Sequence, residues 1–97
     1  MKFYDKQGAV IDFETFAELK LTPGYARIAE TTVGKFWVST VWLGMNHNWG
    51  NGAPLIFETM VFGAKNYTAL EYSEQYANEV AALAGHDRAC AWAKDHL

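Results

Sequence analysis

The chain is 97 residues long, which suits one domain with one small core. A hydrophobic share of 51 % with 15 % aromatic residues excludes a disordered chain. A formal net charge of −3, with only 8 scattered Lys and Arg, argues against a nucleic-acid binder that works by neutralising phosphates.

The single Cys90 excludes an intramolecular disulfide and fits a reducing compartment. No basic start leads into an apolar run, so no signal peptide is expected. No apolar stretch approaches the roughly 20 residues of a membrane span. The expectation is a single cytoplasmic domain over residues 1–97 with no membrane association.

Met1 to Asp12 alternates loosely around Asp5-Lys6-Gln7-Gly8, a polar run ending in Gly that suits a hairpin turn, so a short two-stranded ribbon is predicted. Asp12 is placed to cap a helix, because its carboxylate can accept from the free amides of the next turn. Phe13, Phe16, Ala17 and Leu19 then line one side of that short helix, which Thr22-Pro23-Gly24 closes. Tyr25 to Thr32 reads as a strand with Val33-Gly34 as its turn. That pair is not a favoured two-residue hairpin, so a longer loop or a bulge is expected.

Phe36 to Phe62 dominates the chain. Two runs rich in aromatic and β-branched residues, Phe36 to Gly44 and Pro54 to Phe62, flank a loop of Gly and Asn and predict paired strands. Leu70 to Tyr76 is a fourth strand with charged alternate positions, as at a sheet edge. From Asn78, another cap, the Ala-rich stretch to about Lys94 predicts the longest helix, with Val80, Leu83, His86, Cys90 and Leu97 on one stripe and Trp92 off it. Gly85 inside that helix costs about 1 kcal/mol relative to Ala, and close approach by another backbone would be one reason to keep it. The fold class is therefore α+β: an antiparallel sheet of about four strands, a short N-terminal helix, and a longer C-terminal helix packed on one face.

Alternation sorts each strand into two faces. The pairing expected here sets Trp37, Val41 and Leu43 with Leu55, Phe57 and Val61 against the long helix, joined by Ile28, Ser39 and Thr59. The other face collects Tyr25, Arg27, Phe36, Val38, Thr40 and Trp42 with Ile56, Glu58, Met60 and Phe62. A carboxylate in so apolar a strand needs a reason. Either Glu58 pairs with Arg27 or meets water, or it anchors a ligand or partner between the walls Tyr25, Trp42 and Phe62.

The loop Met45 to Ala53 offers His47 and Trp49 at a surface tip, yet it has no phosphate-loop pattern. His47, His86 and His96 show no ligand spacing, so no metal and no cofactor are expected. His86 and Cys90 stand four apart on the helix and could touch, but a buried structural thiol beside a satisfied histidine is the better reading, and an enzyme is the minority one. The residues expected to bind are Tyr25, Arg27, Trp42, His47, Trp49, Glu58 and Phe62, and Trp42→Ala and Trp49→Ala are expected to weaken binding while leaving the fold intact. The alternative is a small-molecule or nucleotide pocket around Glu58, with Arg27 and His47 beside Trp42.

Val38 to His47 (V-S-T-V-W-L-G-M-N-H) and Gly52 to Gly63 (G-A-P-L-I-F-E-T-M-V-F-G) resemble a family of small uncharacterised proteins encoded by tailed bacteriophages and prophages. Tyr72-Ser73 and Ala82-Leu83-Ala84-Gly85-His86 continue the likeness, while Ala53 stands where the family usually has a proline and Asn48-Trp49 depart in the loop. The resemblance implies an accessory protein of the host bacterial cytoplasm. It implies a partner class, a host or phage protein such as a component of a CRISPR defence complex; a homodimer is a separate expectation, drawn from the aromatic sheet surface that one short helix cannot cover. It carries no activity to transfer.

Overall fold

The computed structural model describes residues 1–46, 50, 52–63 and 69–97. The N-terminal ribbon pairs β1 (Phe3–Tyr4) with β2 (Val10–Ile11), and the Asp5 carboxylate holds its turn by accepting from the amides of Gln7 and Ala9, both at 2.9 Å. Helix α1 (Phe13–Leu21) starts where the Asp12 carboxylate accepts from the Thr15 amide at 2.8 Å. Four strands follow in antiparallel order: β3 (Arg27–Val33), β4 (Phe36–Trp42), β5 (Phe57–Gly63) and β6 (Ala69–Tyr76). Helix α2 (Glu79–Asp95) begins at the Asn78 cap, whose side chain accepts from the Ala81 amide at 2.8 Å, and lies across one face of the sheet.

The turn between β3 and β4 is Gly34-Lys35, closed by the pair Val33 and Phe36, with Gly34 at φ +56. A tight hairpin needs such a positive φ, and glycine supplies it without steric cost. The expected Val33-Gly34 turn is thus displaced by one residue, and the bulge sits at the far end of β3, between Arg27 and Ala29.

The pairing of β4 with β5 differs by one residue from that expected. Trp42 faces Phe57, Thr40 faces Thr59 and Val38 faces Val61. Phe36, Val38, Thr40 and Trp42 therefore lie under the helix with Phe57, Thr59 and Val61, whereas Trp37, Ser39 and Val41 share the opposite face with Glu58, Met60 and Phe62. A one-residue slip exchanges faces along a whole strand. What fixes the register is polar matching. Thr40 and Thr59 meet in the interior at 2.6 Å, and the charge of Glu58 stays outside.

Helix α2 also turns a face other than the one read from its large apolar residues. Ala82, Gly85, His86, Ala89 and Ala93 are buried, whereas Val80, Leu83 and Leu97 are exposed. The sheet beneath already carries Phe36, Trp42, Phe57 and Tyr76, so the helix approaches them with Ala and Gly and takes in His86 where Thr31 and Thr40 face it. Gly85 is the closest case: a Cβ there would fall on the Tyr76 ring and hydroxyl, so the neighbour that requires glycine is a side chain and not a backbone. We expect Gly85→Ala to cost about 1–2 kcal/mol, because overpacking outweighs the gain in helix propensity. Urea denaturation checks this, with a lower midpoint for the variant at unchanged slope.

The core is two apolar clusters with a polar layer between them. Phe16, Trp42, Ile56, Phe57, Tyr76 and Ala82 form one, flanked by residues of the ribbon and α1. Val33, Phe36, Val38, Val61, Ala89 and Ala93 form the other, with Trp92 and Tyr72 at its rim. In the layer, His86 Nδ1 lies 2.7 Å from Thr40 Oγ1 and Nε2 lies 2.9 Å from Thr31 Oγ1. Every buried side-chain polar atom among the described residues has a partner. Cys90, half-buried at the edge of the second cluster, is a free thiol.

Candidate functional site

The face of the sheet away from α2 is the candidate site. Neither α1 nor α2 covers it: α2 packs on the helix side of all four strands, and α1 packs against the ribbon and Trp42. Three rows of side chains cross this outer face, read from the strand registers. They are Arg27–Val41–Glu58–Gln75, then Glu30–Ser39–Met60–Ser73, then Thr32–Trp37–Phe62–Leu70.

The rows are held together by specific contacts. Trp37 and Phe62 stack with ring centroids 5.4 Å apart, and Leu70 beside them is 53 % exposed. Arg27 donates to the Ser39 hydroxyl at 2.7 Å, lies over the Trp37 ring at 5.9 Å and reaches Glu30 at 3.7 Å. The Trp37 indole donates to Glu30 at 3.0 Å. Glu58 accepts from the Gln75 amide at 3.1 Å. Val41, Met60 and Phe62 remain half-exposed. Among the described residues the result is an aromatic and aliphatic strip with Arg27, Glu30 and Glu58 beside it.

The expected partnership of Arg27 with Glu58 does not form. The two residues face the same side, but two strands apart, about 9–10 Å at the usual strand spacing. Arg27 is instead engaged by Glu30 and Ser39, a pairing that sequence spacing of three along one strand did not suggest.

Tyr25 and Trp42, expected as walls beside Glu58, lie on the other side of the sheet. Trp42 is fully buried: its indole donates to the Tyr4 carbonyl at 3.0 Å, and the Tyr25 ring meets it edge-on at 4.9 Å. Lys20 lies over the Trp42 ring at 4.8 Å and donates to its carbonyl at 3.2 Å, and burial holds this ammonium below the usual lysine range. Tyr25 accepts from the Lys6 amide at 3.0 Å. These residues fasten the ribbon and α1 to the sheet. A pocket combining Glu58 with Trp42 is therefore excluded, since the sheet itself separates them. Of the seven expected binding residues, Arg27, Glu58 and Phe62 share the outer face, while His47 and Trp49 lie outside the described residues. Trp37 and Met60 were missed. Alternation had already grouped Met60 with Glu58, whereas Trp37 was set on the helix side by the one-residue slip between β4 and β5.

Two other polar features lie on the helix side of the sheet. Glu74 accepts from the hydroxyls of Tyr72 at 3.2 Å and Tyr76 at 3.1 Å and pairs with Arg88 at 3.0 Å. Burial, with the nearby Glu74 charge, pushes the Tyr76 hydroxyl up to about 12, so it stays a donor. A cleft of about 390 Å³ opens near the end of α2, lined by Lys35, Phe36, Glu71, Trp92 and His96. There His96 stacks on Trp92 at 4.0 Å and donates from Nδ1 to the Trp92 carbonyl at 2.7 Å. Lys35, Glu71 and His96 on its wall are exposed.

Among the described residues no cluster of His, Cys, Asp and Glu could hold a metal ion, and no helix is long and apolar enough to cross a membrane. No family model, curated protein or solved structure matches the chain.

Proposed function

We propose that this is a non-catalytic binding protein whose working surface is the outer face of the sheet. The observation that carries the reading is that Val41, Met60 and Phe62 stay half-exposed on a sheet face that neither helix packs against. Aromatic anchors with a charged border are what protein interfaces use, with the charges setting register more than affinity. Both edge strands of the same sheet are blunted, β3 by its bulge at Arg27 and Ala29, and β6 by an extra residue, Glu71, between Leu70 and Tyr72. Such devices discourage strand addition and leave the face as the route of association.

The resemblance of the central strands to phage-encoded proteins supports an accessory role in the host bacterial cytoplasm, directed at a host or phage macromolecule. Blocking a defence complex such as a CRISPR effector is the form of that role we favour. The acidic side chains Asp5, Glu14 and Glu71 add steering toward a basic partner.

Capture from bacterial lysate on tagged protein tests the reading. We expect a protein retained by the parent and lost, at least about tenfold, with Trp37→Ala plus Phe62→Ala, whose melting temperature stays within a few degrees of the parent. Equal retention by the double variant would remove the outer face from the mechanism.

A further inference from the structure

The cleft beside the end of α2 brings two opposite charges to one aromatic floor without pairing them. We propose that it binds a small zwitterion, an α-amino acid with an apolar side chain, whose carboxylate is taken by Lys35 and whose ammonium is taken by Glu71. The site lies on the helix side of the sheet and is independent of the outer face.

Each wall is set by a feature of the fold. Lys35 stands in the tight turn before β4, and its ammonium lies over the Phe36 ring at 5.3 Å. Glu71 is the extra residue that β6 carries between Leu70 and Tyr72, and a bulge of that kind re-aims a side chain. Here the side chain lies over Gly63 beside the Phe36 ring: a Cβ on Gly63 would meet Glu71 Cγ at 3.0 Å and the ring at 3.1 Å. The two charges thus flank one ring. Among the described residues neither the Lys35 ammonium nor the Glu71 carboxylate has a hydrogen-bond or ion-pair partner. Trp92 completes the floor, edge-on to Phe36 at 5.5 Å and held under the His96 ring at 4.0 Å. Leu97 sits against Gly34 and so ties the end of α2 to the turn that carries Lys35.

The class of ligand follows from charge and size. A simple anion would face the Glu71 carboxylate and a simple cation the Lys35 ammonium, so only a molecule with both charges complements both. About 390 Å³ is near the lower end of small-ligand sites and suits an amino acid. The Phe36 and Trp92 rings are then left for its apolar side chain.

Titration of isotope-labelled protein with L-phenylalanine, followed by the amide shifts of Lys35 and Glu71 and the indole shift of Trp92, tests this. We expect saturable binding with a Kd of about 1 mM or tighter, as a ligand of this size allows. Phenylethylamine lacks the carboxylate and 3-phenylpropionate lacks the ammonium, and each should bind at least about fivefold more weakly. Lys35→Met should weaken L-phenylalanine about fivefold and leave phenylethylamine unchanged, whereas Glu71→Gln should weaken it as much and leave 3-phenylpropionate unchanged. Both side chains are exposed, so both variants should keep the parent's melting temperature. No saturation by about 20 mM, equal binding of the three compounds, variants that bind as the parent does, or shifts confined to the outer face would each overturn the proposal.

Discussion

Trp42→Ala is expected to lower the melting temperature by about 15–30 °C, or to prevent folding, because it removes about 3–5 kcal/mol from a domain whose whole stability is about 5–15 kcal/mol. The indole is fully buried and joins the ribbon and α1 to the sheet. It donates to Tyr4 in the ribbon, packs on Phe16 of α1 at 5.7 Å, meets Tyr25 edge-on and lies under Lys20. Truncation leaves a large cavity, an unpartnered Tyr4 carbonyl and an α1 without its anchor. Thermal unfolding followed by near-ultraviolet circular dichroism measures the loss. A variant that melts with the parent would mean that the ribbon and α1 are held by something other than Trp42. The result also bears on function. Read from sequence, Trp42 was a binding residue whose removal spares the fold; in the structure it is a residue that the fold cannot spare.

The second large effect is expected at His86. His86→Ala should cost about 2–3 kcal/mol at pH 8, from a cavity in the polar layer and the loss of both threonine contacts. The cost should shrink on acidification, and the sign follows from burial. Desolvation lowers the pKa of this imidazole below 6.5, the nearby Arg27 also acting to lower it and Asp87 to raise it. A histidine whose folded-state pKa is depressed adds stability above its unfolded-state pKa, and that stability is lost as pH falls through the folded-state value. The hydrogen bonds do not oppose this. Thr31 and Thr40 can each donate to or accept from the ring, so both protonation states are satisfied and it is chiefly burial that disfavours the charge. Urea titrations between pH 8 and pH 5 should show the parent losing stability below about pH 6.5 and the variant losing less, so the two curves converge. Parallel curves would show that His86 does not titrate with unfolding in this range.

What the sequence made legible was local. Asp12 and Asn78 could be identified as caps because a cap is decided within four residues, and both accept from the amide three residues on. The ribbon, the four strands and the two helices followed from turn residues and alternation in the same way. What stayed hidden was decided by distant partners. Both faces of β4 are apolar, so hydrophobicity alone could not say whether Trp37 or Trp42 points inward; Thr59 and His86, 19 and 46 residues from Thr40, decide it. The stripe expected on α2 followed the large residues Val80, Leu83 and Leu97. The helix instead buries Ala82, Gly85, Ala89 and Ala93 under the aromatic side chains of the sheet, with His86 as the one large side chain it takes in. The candidate surface inherited the same slip: Arg27, Glu58 and Phe62 belong to it, while Tyr25 and Trp42 were assigned to the wrong side of the sheet.

Oxidative footprinting with hydroxyl radicals, run on dilute protein alone and in complex with a captured partner, tests the binding surface most directly. Methionine and tryptophan are reactive, and Met60 and Trp37 sit on the outer face, whereas the rim residue Trp92 lies on the other side of the sheet. We predict that Met60 and Trp37 are modified in the free protein and protected in the complex, with Trp92 modified equally in both. Protection at Trp92 with Met60 and Trp37 unchanged would place the partner on the helix side and contradict the outer face as the binding surface.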